Sequence, residues 1–228
     1  MEPRAVIFDM DGVLIDSLEA HFRSWNRMLD QYGLSMSRQE FTSSFGRTSR
    51  EIIAESWPEQ ATDSETIARW DDQKEAAFRA ILHETFPAMD GAEQLIERLD
   101  EAGFRLAVGS SGPRENVQAA MENLPGASRF AAVVTGNDVS RGKPHPEVFL
   151  KAAERLGVHP GRCAVVEDAV AGLQAATAAG MVAIGLTGTT QRQALDSQAD
   201  MVVESLHDLS VDGLSRWIEQ NARQEGCI

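Results

Sequence analysis

The chain has 228 residues, 43% of them hydrophobic, and a formal net charge of −14 from 35 acidic and 21 basic side chains. That length and apolar content suffice for a sizeable core, while the acidity argues against a general nucleic-acid or anionic-membrane surface, so local basic groups must handle any anionic ligand. No apolar stretch approaches the roughly 18 residues of a membrane helix, and Met1 to Arg4 carries no secretory pattern, which makes a cytoplasmic location the expectation.

In chain order, Ala5 to Phe8 reads as a buried strand that runs into Asp9-Met10-Asp11-Gly12. At the carboxyl end of a parallel strand the chain turns outward, so Asp9 can face a ligand crevice while Gly12 permits the sharp turn. From about Leu18 to Leu82 the strand-helix alternation lapses and the chain reads as an inserted helical domain. Its first helix carries His21, Phe22, Trp25, Met28 and Leu29 at helical spacing and ends near Tyr32-Gly33, with Gly33 as C-cap. A break at Ser43 to Thr48 precedes Arg50-Glu51-Ile52-Ile53. A longer helix from Ser64 carries Ile67, Trp70, Ala77, Phe78, Ile81 and Leu82.

Alternation resumes from Pro87. Helices are predicted near Ala92 to Ala102, Asn116 to Asn123, Glu147 to Leu156 and Val170 to Ala179. Strands are predicted at Phe104 to Gly109, Ala131 to Val134, Cys163 to Val166, Val182 to Leu186 and Met201 to Val203. The pattern predicts an α/β fold with a doubly wound, mostly parallel sheet. Cys163 on an inner strand and Cys227 near the terminus make neither a disulfide framework nor zinc spacing, and Cys163 reads as core packing.

Polar groups cluster where these elements start and stop: Asp9/Asp11, Ser110-Ser111, Lys143 in Gly142-Lys143-Pro144, and Glu167-Asp168. Each has an ordinary reading in isolation. Asp-Gly is a common turn, the serines could cap the helix beginning near Pro113, Glu167-Asp168 suits a helix N-terminus, and Lys143 suits a solvated turn. Together they suit phosphoryl transfer. Phosphate monoesters repel nucleophiles, so a site needs a divalent cation and fixed positive groups. Asp9, Asp168 and the carbonyl of Asp11 are hard oxygen ligands suited to Mg2+, with Glu167 acting through water or orienting the other ligands. Ser110, Ser111, nearby amides and Lys143 can hold phosphoryl oxygens.

With these four motifs in this order the chain resembles the haloacid dehalogenase superfamily of phosphotransferases. On DMDGVLIDS, GKPHPEVF and VVEDAVAGLQAA it is most similar to the group that contains β-phosphoglucomutase and small sugar-phosphate phosphatases. The resemblance implies that Asp9 forms a transient aspartyl phosphate, that Asp11 is general acid and base, and that Ser110 and Lys143 bind the phosphoryl group. It implies that Asp168, with Glu167, holds Mg2+. It further implies an α/β core of residues 1–16 and 88–228 with a helical cap of residues 17–87 that recognises the leaving group. His21, Trp25, Arg47, Thr48, Ser49, Arg50 and Lys74 are the cap candidates, although Trp25 also fits the apolar stripe of its helix.

Two departures bear on the reaction. Mutases of this group have a Thr-containing segment where this chain reads Ile15-Asp16-Ser17, and a cap lysine before a glycine where it reads Ser44-Phe45-Gly46. The expectation is therefore a Mg2+-dependent hydrolase of a small sugar or polyol phosphate, with phosphomutase activity as the alternative; separately, the chain is expected to be a monomer. A non-catalytic binding protein on the same scaffold is the alternative of another class. A receiver-type signalling domain shares the residue types but has about half the length and a different motif order.

Overall fold

The computed structural model describes residues 2–44 and 47–224; Phe45, Gly46 and Cys227 lie outside them. Its elements are β1 (Ala5–Phe8), α1 (Leu18–Leu29), α2 (Arg38–Ser43), α3 (Ser49–Ser56), α4 (Ser64–Glu84), α5 (Ala92–Glu101), β2 (Arg105–Gly109), α6 (Arg114–Asn123) and β3 (Phe130–Val134). They continue with α7 (Glu147–Leu156), β4 (Cys163–Glu167), α8 (Val170–Ala178), β5 (Val182–Leu186), α9 (Arg192–Asp196), β6 (Met201–Val203) and α10 (Val211–Gln224). Two compact units result, Met1–Asp16 with Ala88–Ile228, and Ser17–Pro87.

In the first unit the six strands form one sheet in the order β3-β2-β1-β4-β5-β6, and every pairing is parallel. Parallel strands need crossovers and lie under helices, which is why β1, β4 and β5 are buried along their whole length and read as unbroken apolar runs. The core on one face joins Ile7, Ala107 and Val165 of the sheet to Val148, Phe149 and Ala152 of α7 and Leu173 of α8. Cys163 is fully buried among them, as its strand position predicts.

The strand order reverses between β1 and β4. Chain order runs outward from β1 to β2 and β3 on one side, and from β4 to β5 and β6 on the other, so a crevice opens at the carboxyl ends of β1 and β4. Register aligns Phe8 with Val166, and Asp9 N donates to Val166 O at 3.0 Å, which sets Asp9 beside Glu167 and Asp168. The chain leaves this unit after Asp16 and re-enters at Ala88, where Ile15 bridges Ala88 and Met89 N donates to Leu14 O at 2.9 Å.

The helical unit has its own core, in which Trp25, Met28 and Leu29 of α1 meet Phe41, Ile52, Ile53 and Trp70. Gly33 adopts φ 68° after a short 3-10 turn and ends the first helix, the C-cap expected from the sequence. Ser37 and Thr48 open α2 and α3 through capping boxes with Glu40 and Glu51.

The strand and helix reading stops at Val203, whereas α10 follows, burying Leu214, Ile218 and Ala222 at helical spacing. The short α2 and α9 likewise carry no helical signal in the sequence, since six and five residues are too few to show a helical period. Among the described residues no helix is long and apolar enough to cross a membrane.

Candidate active site

Asp9 leaves the end of β1 with its side chain buried, and its Oδ1 accepts from Lys143 Nζ at 2.6 Å. The same ammonium donates to Glu167 Oε1 at 2.5 Å, while Glu167 Oε2 accepts from Ala169 N at 2.9 Å. Both oxygens of Glu167 are thus engaged, and the side chain is 2% exposed. Lys143 reaches in from the turn before α7, its Nζ 4.9 Å from the ring centre of Phe149. Asp9, Glu167 and Asp168 each present a carboxylate oxygen within 4.8 Å of the others.

Two glycines make room for this cluster. A Cβ on Gly12, which has φ +77°, would stand 2.2 Å from Asp168 Oδ2, and one on Gly172 would stand 1.8 Å from Glu167 Oε1. Neither position accepts a larger residue without moving a carboxylate. The DxDG glycine therefore does more than turn the chain: it lets the first motif lie against the fourth.

Burial pushes the Asp9 carboxyl well above the usual carboxylate range; Lys143 opposes that, and Glu167 and Asp168 add to it. Burial likewise lifts Asp168 to about 7, with Glu167 adding to the rise and a hydrogen bond from Thr189 opposing it. Burial alone would lower the pKa of Lys143, but Asp9 and Glu167 more than reverse this and raise it. Three clustered carboxylates face one ammonium, an excess of negative charge that a divalent cation would relieve. The donor set fits a hard cation, since all three ligand atoms are carboxylate oxygens.

Ser110 is buried at the end of β2, where its N donates to Val134 O at 2.9 Å and its Oγ accepts from Gly112 N at 3.0 Å. A Cβ on Gly112 would meet Ser110 Oγ at 3.2 Å and Asp11 Oδ2 at 3.9 Å, so Ser110 and Asp11 approach the same turn. Ser111 is exposed. Residues from four separate motifs, at the ends of β1, β2 and β4 and before α7, thus converge at one end of the sheet.

Within the helical unit, two of the expected cap residues come together. Lys74 is buried, with Nζ 3.2 Å from His21 Nδ1 and 2.8 Å from Glu75 Oε1, and the His21 ring stacks on Phe78 at 4.0 Å. The others have local duties. Trp25 lies in the unit's apolar core, and Thr48 accepts from Glu51 N as the cap of α3. Arg47 pairs with Glu55 at 2.6 Å, Arg50 with Asp71 at 2.8 Å, and Ser49 Oγ lies 3.4 Å from Glu75 Oε1.

Sequence reasoning missed Thr189, which supports Asp168, and Glu75, which pairs with Lys74. Thr189 had a readable signal in that it follows a strand at the same end of the sheet. Glu75 had none, being one of many acidic residues on a polar helix face.

The haloacid dehalogenase-like hydrolase model matches residues 6–186. The chain is 33% identical over 211 residues to validoxylamine A 7'-phosphate phosphatase of Streptomyces hygroscopicus subsp. limoneus, covering 90% of this chain and 95% of that protein. It is 30% identical over 227 residues to β-phosphoglucomutase of Bacillus subtilis, covering 95% and 96%. Among solved structures it is similar to a CbbY variant from Rhodobacter sphaeroides in complex with xylulose-(1,5)bisphosphate, with a TM-score of 0.81 and 29% identity over 93% of this chain and 99% of that one. With the four-motif cluster at the sheet's carboxyl end, these matches establish that the chain belongs to the haloacid dehalogenase-like hydrolase family and is an enzyme of the superfamily's phosphatase and phosphomutase group.

Proposed function

We propose that this enzyme is a monomeric, Mg2+-dependent phosphohydrolase that removes the phosphoryl group from a small sugar or polyol phosphate by way of an aspartyl phosphate on Asp9. The observation that carries the reading is the buried Asp9 carboxylate, paired with Lys143 at 2.6 Å and grouped with Glu167 and Asp168. A carboxylate so placed can attack phosphorus, and the ammonium beside it offsets the charge of the incoming phosphoryl oxygens.

In the first half-reaction an oxygen of Asp9 bonds to phosphorus as the bond to the leaving oxygen breaks, and Asp11 donates a proton to that oxygen. In the second, Asp11 takes a proton from water, whose oxygen attacks phosphorus and releases phosphate and free Asp9. Ser110, Ser111 and Lys143 hold the phosphoryl oxygens. Asp9, Asp168 and the Asp11 carbonyl, with Glu167 in support, would hold the metal. Bound there, Mg2+ supplies positive charge that keeps the carboxylates ionised and neutralises phosphoryl oxygens. His21 and Lys74 are the candidates for leaving-group recognition.

The names of the relatives support a phosphorylated carbohydrate-like substrate, since one is a phosphatase of a 7'-phosphate and another was solved with a sugar bisphosphate. Phosphomutase activity is the second reading, favoured by the 30% identity to β-phosphoglucomutase. Hydrolysis is preferred because the mutase-type cap lysine is replaced in Ser44-Phe45-Gly46. The test is phosphate release from p-nitrophenyl phosphate and a panel of sugar and polyol phosphates, with Mg2+ and with chelator. Metal-dependent turnover is expected; its absence across the panel would overturn the reading in favour of a non-catalytic binder.

A further inference from the structure

We propose that Glu147, which lies outside all the residues given a role above, is the positioning residue that fixes Lys143 against Asp9 and Glu167. The inference rests on the proposed use of Lys143 in phosphoryl transfer. Glu147 opens α7, four residues after Lys143, and its carboxylate folds back over the turn that carries the lysine. Oε1 accepts from Ser140 N at 3.0 Å, and Oε2 accepts from Ser140 Oγ at 2.8 Å and from Arg141 N at 3.1 Å. The remaining links close the turn from the other side. His145 N donates to Gly142 O at 3.0 Å, and Glu147 N donates to His145 Nδ1 at 3.3 Å. Lys151, one turn along α7, meets Glu147 Oε1 at 2.9 Å and donates to Asp138 O at 2.5 Å.

The physical reason for such a clamp lies in the chain around Lys143. The lysine sits on an irregular segment with no sheet or helix ladder to locate it, yet its long side chain must deliver one ammonium between two buried carboxylates. Lysine carries large rotamer freedom, so a backbone anchor at the start of the side chain is what keeps the far end in register. A helix-borne carboxylate with three donors from residues 140 and 141 provides that anchor, and α7 itself packs on the sheet through Phe149. Misplacement of a charged group by about 1 Å costs rate on the order of a hundredfold in comparable settings.

The chain contains three lysines, Lys74, Lys143 and Lys151, which makes amine labelling a direct readout. The experiment compares the wild type with Glu147→Ala, Glu147→Gln and Ser140→Ala. Each protein is acylated with N-hydroxysuccinimidyl acetate and read by peptide mass spectrometry, and its Mg2+-dependent hydrolysis of p-nitrophenyl phosphate is measured. In Glu147→Ala, Lys143 is expected to label about tenfold faster while Lys74 keeps its rate, and kcat to fall about tenfold or more with a smaller change in KM. Glu147→Gln, which keeps one acceptor oxygen, should be intermediate, and Ser140→Ala should show the smallest shift in the same direction. Unchanged Lys143 labelling, labelling that rises equally at Lys74, or faster labelling with unaltered kcat overturns the proposal. If Glu147→Ala does not fold, the two milder variants decide by the same criteria. Wild-type protein without hydrolysis sinks the phosphohydrolase reading instead, and Lys143 labelling then decides the clamp alone.

Discussion

Lys143 Nζ lies 2.6 Å from Asp9 Oδ1, a contact between residues 134 positions apart in the chain. Both side chains are about nine-tenths buried, so the pair works as a unit. Removing one member of a buried ion pair leaves the other charge uncompensated, which costs about 3–5 kcal/mol. Lys143→Met is therefore expected to lower the urea-unfolding free energy of the metal-free protein by about 3 kcal/mol at neutral pH. A divalent cation should restore part of the loss. Wild-type stability in that variant would show that the ammonium does not balance the carboxylates.

Asp9 and Asp168 belong to one cluster but carry different proposed work, and two substitutions separate them. Asp9→Asn replaces the nucleophile with an amide and should reduce turnover to background at every Mg2+ concentration. Asp168→Ala removes a ligand only, so its activity should recover partly as Mg2+ is raised. Melting temperature gives an independent check, because a ligand bound only by the folded state stabilises it as concentration rises above Kd. Mg2+ should raise the Tm of the wild type, and the midpoint of that rise should move to higher concentration in Asp168→Ala. Equal rescue of both variants by metal would contradict covalent catalysis through Asp9.

Much of this was legible because strand ends are where sequence and site coincide. The apolar runs ending in Asp9, Ser110 and Glu167 located three parallel strands, and the parallel sheet then required their carboxyl ends to share a face. What the sequence could not show was distance between side chains with no common period. Nothing in Gly12 or Gly172 alone announces that each leaves space for a carboxylate of the fourth motif. Glu147 read only as the start of a helix, since its three donors lie six and seven residues back in an irregular turn. Among the cap candidates, pattern could not tell Trp25 in the core from His21 beside Lys74, because all three occur at helical spacing on apolar faces.

The Glu147 carboxyl gives the fold a pH dependence in the acid range. Lys151 first, then the donors of Ser140 and Arg141, hold its carboxyl at about 2, below the ordinary 4.5. Between those values the unfolded chain binds more protons at this position than the folded one. The resulting stabilisation is complete above the unfolded pKa and is lost as pH falls from about 4.5 through about 2. The difference in urea midpoint between wild type and Glu147→Gln should therefore be largest near pH 6 and shrink steadily below about 4.5. A difference that stays constant across that range would mean the carboxylate is not held in its charged form by the turn.

What captures the phosphoryl group from Asp9 separates the two activities. A mutase must keep its phosphoenzyme intact until a second sugar phosphate arrives, and must grip a bisphosphate intermediate by its distal phosphate while it reorients. Between residues 17 and 87 this chain has a single lysine, Lys74, whose ammonium is already engaged by Glu75 and lies beside His21. The lysine that the mutase pattern places before a cap glycine is absent from Ser44-Phe45-Gly46, and this is the ground for expecting a weaker hold on a second phosphate. Water is then the expected acceptor, activated by Asp11. Incubation with β-glucose 1-phosphate and a trace of glucose 1,6-bisphosphate should yield little glucose 6-phosphate, while phosphate release from at least one small sugar or polyol phosphate should be faster. Rapid glucose 6-phosphate formation with negligible phosphate release would reverse the assignment between the two activities, and would leave the attack by Asp9 and the carboxylate cluster as the shared first half of the reaction.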